Sequence, residues 1–158
     1  MSPRLLSGLS IGASLGCGLV AGVCYAFSSF VMPALQRLPA AQGVAAMQAI
    51  NVAALQRGLL APFLGTALAC LVVALSSLVG AARTGGPLRL AACALYLLGT
   101  LGVTAACNVP RNDALARLPP ESAEAALYWP HYVAEWSRWN HLRAAAALAA
   151  AASFLLAL

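Results

Sequence analysis

Apolar residues run through the chain in long unbroken blocks, and the few charges mark where the blocks end. Arg4 and Arg37 enclose 32 uncharged residues, Arg57 and Arg83 enclose 25, and Arg89 and Arg111 enclose 21. After Arg143 the last 15 residues are apolar except for Ser153. A helix needs about 20 residues to cross a hydrocarbon core of about 30 Å. The first three blocks meet that length, and the fourth does so by starting near Trp139. The pattern predicts four transmembrane helices near residues 6–30, 59–82, 88–109 and 138–157. The expected fold class is therefore all-α, an integral membrane four-helix bundle. It forms a single transmembrane domain over residues 1–158, with short surface helices in the first and third connections. The first block is longer than the apolar part of a signal peptide and lacks a small-x-small cleavage site, so an uncleaved span is expected.

The connections carry their own signals. Residues 40–57 read as an Ala-rich helix. Val44, Met47, Asn51 and Leu55 share one of its faces, and it lies along the membrane surface or extends the second span. Thr84-Gly85-Gly86-Pro87 is a turn between spans two and three. The third connection, roughly 110–137, holds all four acids and a Pro119-Pro120 break, and leads to Pro130, suited to the first turn of a helix. In the first span Gly8, Gly12 and Gly16 recur at four-residue intervals, followed by Gly18 and Gly22. Such spacing lets two backbones approach closely, either inside the bundle or between two copies, so a homo-oligomer through the Gly8/Gly12/Gly16 face is one expectation.

Composition narrows the function classes. The chain is 62% hydrophobic and 8% charged, against about 25% charged in an ordinary soluble domain. A soluble enzyme, a disordered regulator and a nucleic-acid-binding domain are excluded, and the lipid bilayer is the first expected partner. The net charge of +5 comes from nine Arg and no Lys against four acids. On a membrane protein that balance reports loop orientation and contact with anionic headgroups, not nucleic acid. The expected location is a multi-pass position in a bacterial inner membrane. Cys17, Cys24, Cys70, Cys93 and Cys107 lie in apolar stretches and form no CxxC pair, so neither a metal site nor a redox centre is expected. Cys17 and Cys24, about 10 Å apart along one helix, are too far apart for a disulfide.

Topology gathers the unusual residues. With spans one and three parallel, the end of span one, the start of two, the end of three and the start of four share one membrane face. Asn51, Asn108, Asn112, Asn140, Arg143 and the tryptophans Trp129, Trp136 and Trp139 all map there. Arg37, Arg57, Arg111, Arg117, Arg138 and Arg143 fall on that face against Arg4, Arg83 and Arg89 on the other, which makes it the cytoplasmic one. Tyr132, Trp136, Asn140 and Arg143 form one helical stripe with Trp139 at its edge, while His131, Glu135 and Arg138 fall on another, where Glu135 and Arg138 can pair. Arg143 lies about 22 Å of helix from the C-terminus, roughly 8 Å inside the core. It either snorkels to the interface or turns inward to bind an anion or a polarised oxygen. The aromatics likewise suit an interfacial belt or the wall of a site for a flat ring. The expected substrate-binding set is Asn51, Asn108, Asn112, Trp136, Trp139, Asn140 and Arg143. No catalytic residue is assigned, and His131, His141, Asp113 and Glu135 are the nearest candidate bases.

Four stretches carry a resemblance. They are Ala21-Gly22-Val23-Cys24-Tyr25-Ala26-Phe27 with Val31-Met32-Pro33-Ala34-Leu35, then Met47-Gln48-Ala49-Ile50-Asn51. Asn108-Val109-Pro110-Arg111-Asn112 and Trp136-Ser137-Arg138-Trp139-Asn140-His141-Leu142-Arg143 complete the set. In order and context they resemble the anthrone oxygenase-like family of small four-helix membrane proteins. The resemblance implies oxidation of an aromatic small molecule, an anthrone, to a quinone by molecular oxygen, with no metal, flavin or other cofactor. On that reading the ring rests on Trp136 and Trp139, and Arg143, Asn140 and Asn108 stabilise a developing oxyanion. The competing class is a non-catalytic small-molecule binder or accessory subunit, in which these polar groups serve backbone carbonyls around Pro110 and the helix ends. A transporter is disfavoured because no polar path or inverted repeat crosses the chain.

Overall fold

The computed structural model describes residues 2–79 and 85–158. Arg83, Thr84 and the expected end of the second span at 80–82 lie outside them. Among the described residues there are five helices: α1 (Pro3–Gln36), α2 (Ala40–Ala54), α3 (Arg57–Val79), α4 (Gly86–Ala116) and α5 (Ala123–Leu156). No strand occurs among these residues, so the all-α expectation holds. Helices α1, α3 and α4 are long and apolar enough to cross a membrane. The fourth expected span is the C-terminal half of α5, where Asn140, His141 and Arg143 interrupt the apolar run. By length and apolarity alone, three of the described helices qualify.

Local chemistry sets the boundaries. Ser2 caps α1, its Oγ accepting from the Leu5 amide at 3.4 Å, and Pro3 occupies the first turn, where a missing N–H costs nothing. Ser122 caps α5, its Oγ accepting from the Ala125 amide at 3.1 Å, with Glu124 in the first turn. That cap starts α5 well before residue 138. Pro130, expected in a first turn, therefore sits inside the helix, and the expected surface helix of the third connection is the near half of α5. The actual connection is only residues 117–122, which include Pro119 and Pro120.

Two other prolines bend the rules without ending a helix. Wide π-helical turns occupy Phe27–Val31 in α1, just before Pro33, and Leu95–Gly102 and Thr104–Asn108 in α4, the last just before Pro110. A proline lacks an N–H and its ring crowds the preceding turn, and widening that turn relieves both. Helix α4 thus runs through Pro110 to Ala116, past the expected limit at residue 109. Helix α2 is separate from α3, divided from it by a turn at Leu55 and Gln56. Val44 and Met47 are fully buried, as the helical wheel predicts, whereas Leu55 ends the helix and is 72% exposed.

Packing forms two apolar clusters. One joins α1, α3, α4 and the Ala-rich end of α5 through Cys17, Val20, Cys70, Val73, Tyr96, Ala147 and Phe154. The other holds α2 against the ends of α1 and α4 and the first half of α5 through Met32, Val44, Met47, Leu115, Tyr132 and Trp136. The thiols of Cys17, Cys70 and Cys93 meet within the first cluster, and all five cysteines are free. At the far end, the Arg89 guanidinium donates to the Ala157 carbonyl at 2.8 Å, closing the C-terminus of α5. Gly85 passes the same carbonyl with a φ of 79°, where a side chain would be strained and would collide. The outer faces stay apolar: Leu64, Leu68, Leu71, Leu75 and Leu78 of α3 are all exposed.

The glycine series of α1 divides. A Cβ on Gly16 would strike the Thr66 side chain of α3, whereas Gly8 and Gly12 meet nothing. Thr66 cannot turn away freely, because its hydroxyl donates to the Pro62 carbonyl at 2.7 Å. Gly16→Val is expected to cost about 1–3 kcal/mol through overpacking, and Gly12→Val much less. Equilibrium unfolding of both variants in mild detergent measures the difference.

Candidate functional site

The clusters leave a gap where they meet. A cavity of about 170 Å³ lies among the end of α1, α2, the start of α3, the end of α4 and the middle of α5. Its walls are mostly apolar, with Val23, Phe27, Met47, Ile50, Leu59, Leu60 and Phe63 among them. The polar side chains of Asn51, Asn108, Asn112, Asn140, Thr104 and Arg143 line it with the Trp136 indole. Six of the seven expected binding residues therefore border one space.

Asn140 is the anchor of this arrangement. Its Nδ2 donates to the Cys24 carbonyl and to Ser28 Oγ, both at 2.7 Å, where α1 opens into its π-helical turn. A carbonyl can only accept, so the bond to Cys24 fixes which end of the amide is nitrogen. The Asn140 Oδ1 then accepts from Arg143 Nη1 at 3.3 Å, one turn along α5. Arg143 is thereby drawn along the cavity wall. It lines the cavity.

Asn108 is oriented in the same way. Its Nδ2 donates to the Trp136 carbonyl at 3.3 Å, so its Oδ1 is left as an acceptor. The Tyr132 hydroxyl donates to Asn112 Oδ1 at 2.9 Å.

Four polar atoms of the cavity-lining residues are buried without a partner. Three are donors, Asn51 Nδ2, Trp136 Nε1 and Arg143 Nε, and one is an acceptor, Asn108 Oδ1. Asn108 is 1% exposed and Trp136 5% exposed, so bulk solvent does not satisfy them. Leaving such groups unmatched costs about 1–3 kcal/mol each. Arg143 has no carboxylate within ion-pair reach among the described residues. The cavity is thus an apolar slot with donors and one cation, chemically matched to an electron-rich oxygen.

Several expected roles are corrected. Trp139 does not line the cavity: three residues on from Trp136, it turns towards α4, with the Arg111 and Arg138 guanidiniums 5.9 and 5.6 Å from its ring centroid. Trp136 instead meets Phe27, centroids 5.7 Å apart. Asn140 spends both amide hydrogens on α1, and Asn108 spends one on the Trp136 carbonyl while its Oδ1 is unpartnered. Of the candidate bases, Glu135 pairs with Arg111 at 2.9 Å and lies 4.0 Å from Arg138, while His131 packs on Tyr128 away from the cavity. No carboxylate or imidazole is among the described lining residues. The interfacial belt fails for two of the three tryptophans, because Trp129 and Trp136 are buried, Trp129 stacked on Tyr132 with centroids 5.7 Å apart.

Other contributors were not legible as such. Ser28 and the Cys24 carbonyl belong to the site only because α1 meets α5 there. Gln48 clamps α2 over the end of α4, its Nε2 donating to the Leu115 and Leu118 carbonyls at 2.9 Å each. It lies one helical turn before Asn51, a spacing that could have flagged it. Among the described residues no group of three or more His, Cys, Asp or Glu side chains is placed to hold a metal ion.

Comparison with known families gives one result. A family model described as anthrone oxygenase matches residues 53–153, covering α3, α4 and most of α5. Comparisons with curated proteins and with solved structures return no match.

Asn140→Ala frees a buried carbonyl and releases Arg143. It is expected to cost about 1–3 kcal/mol in detergent unfolding, against about 1 kcal/mol or less for Ser28→Ala. Glu135→Gln breaks only a partly exposed pair, so its cost should stay within about 1 kcal/mol. A larger loss would show that the pair with Arg111 is needed to hold α4 against α5.

Proposed function

The chain belongs to the anthrone oxygenase family, and from that premise we propose that it is a four-pass membrane protein, with α5 as the fourth crossing, that binds a flat hydroxylated aromatic at one membrane face and oxidises it with molecular oxygen without a cofactor. A bacterial inner membrane is the proposed location. The supporting observation is Arg143: a guanidinium on the wall of an apolar cavity, with no carboxylate among the described lining residues, whose lining also holds the unpartnered Trp136 Nε1 and Asn51 Nδ2.

The chemistry follows from charge. An anthrone holds a ring methylene opposite its carbonyl, and loss of one methylene proton gives an enolate. Donors fixed in a low-dielectric site stabilise that oxygen more strongly than water can. The proton passes to water, since no carboxylate or imidazole is among the described lining residues. The electron-rich carbon then reduces oxygen by forming a C–O bond, and the resulting hydroperoxide loses water to leave the second carbonyl. The sum is anthrone + O2 → anthraquinone + H2O.

A second reading is a binder without turnover, favoured by the lack of a carboxylate or imidazole among the lining residues. Oxygen uptake by proteoliposomes given hydroxylated aromatics of one to three rings, anthrone included, separates the two. Arg143→Ala is expected to lower the rate about 100-fold on the best member of the series. Equal rates for the variant and the unmodified protein, at equal folded amounts, would remove the proposed oxyanion role. Saturable binding with no uptake would leave the binder.

A further inference from the structure

We infer that Arg138, with Trp139 and Arg111 beside it, forms a binding site for one anionic phospholipid on the outer side of α5, away from the cavity. The inference rests on α5 crossing the membrane, as proposed above, and is independent of any oxidation. Depth places the group. Arg138 precedes Arg143 by five residues, about 7.5 Å of helix. With Arg143 roughly 8 Å inside the hydrocarbon core, Arg138 stands at the edge of that core, level with lipid phosphates. Trp139 is half-buried, whereas Trp129 and Trp136 are buried. It therefore sits at the depth where indoles favour the membrane interface.

Charge supplies the selectivity. The Glu135 carboxylate serves two guanidiniums, Arg111 Nη2 at 2.9 Å and Arg138 Nη1 at 4.0 Å. Arg111 also donates through Nη1 to the Cys107 carbonyl at 2.6 Å, so it is committed within the protein. Arg138 is not: its side chain is 73% exposed. Among the described residues no other carboxylate lies within ion-pair reach of either guanidinium, which leaves the group with one uncompensated positive charge. The Trp139 ring, 5.6 Å from the Arg138 guanidinium, holds that charge near the helix. A headgroup with net negative charge balances it, whereas a zwitterionic headgroup brings a second cation to the same place.

The helix surface beyond Arg138 suits an acyl chain. Leu142, Ala145, Ala149, Ala152 and Leu156 follow Arg138 at helical spacing, and all five are exposed. From Leu142 to Leu156 this column spans about 21 Å, more than half of a core of about 30 Å. One leaflet's chain can therefore lie along it. A free phosphate gains nothing from such a column. A phospholipid uses both parts, its phosphate at Arg138 and its chain along the apolar stripe.

The test releases the full chain from vesicles of equal phosphatidylglycerol and phosphatidylcholine into mild detergent and counts retained lipid by native mass spectrometry. The unmodified protein is expected to keep phosphatidylglycerol in preference to phosphatidylcholine. Arg138→Gln, an exposed change that leaves the packing intact, should lower that preference about five-fold, the size expected of one arginine at an anionic surface. Arg117→Gln, at the exposed end of α4, should leave it unchanged. An undiminished preference in Arg138→Gln would overturn the site, and an equal fall in Arg117→Gln would reduce it to general surface charge. Displacement of the retained lipid by excess glycerol phosphate would overturn the role of the acyl column. The crossing is checked separately, by labelling Ala134→Cys and Leu158→Cys with an impermeant maleimide in sealed vesicles of one orientation, the unmodified chain serving as the blank. Labelling of both from one side would remove the fourth crossing and this inference with it. Labelling from opposite sides with no lipid preference would remove this inference alone.

Discussion

Inside a hydrocarbon slab a polar side chain has no water to fall back on, so the protein must supply every partner it has. Asn140 shows how far that constraint organises this molecule. Its amide answers a carbonyl and a hydroxyl on α1, and its oxygen answers Arg143 on its own helix. One side chain therefore joins two helices and holds Arg143, the one cation among the described lining residues. Against this background four atoms on cavity-lining residues stand out as unanswered: Asn51 Nδ2, Asn108 Oδ1, Trp136 Nε1 and Arg143 Nε.

That space exists because the helices are irregular at the right depth. The wide turns before Pro33 and Pro110 fall in α1 and α4 on either side of the cavity, so the backbone there departs from the even ladder of an α-helix. Asn140 donates to the Cys24 carbonyl just before the α1 turn, and Asn108, within the α4 turn, donates to the Trp136 carbonyl of α5. Helix α2, held down by Gln48, closes the site from above. The irregular turns and the cavity thus occupy the same end of the molecule.

Much of this end was readable beforehand. Helical spacing alone put Tyr132, Trp136, Asn140 and Arg143 on one stripe, and chain direction alone brought Asn51, Asn108 and Asn112 to the same face. The individual roles were not readable. Asn140 and Asn108 look like spare donors in a sequence, yet each is committed to a backbone carbonyl on another helix. Trp139 looks like a second wall, but one step around the helix sends its ring to Arg111 and Arg138. Pro110 and Pro130 look like boundaries, and the packing on both sides carries the helices through them.

Sequence by itself determined the helical class, the apolar exterior and the end of the molecule where amides and indoles collect, because each depends on period and block length along the chain. Tertiary structure decided which amide is spent and which is available, which tryptophan faces inward and how large the remaining space is. Those depend on the meeting of residues more than a hundred positions apart, such as Cys24 and Asn140, and no local pattern encodes a distance between two helices.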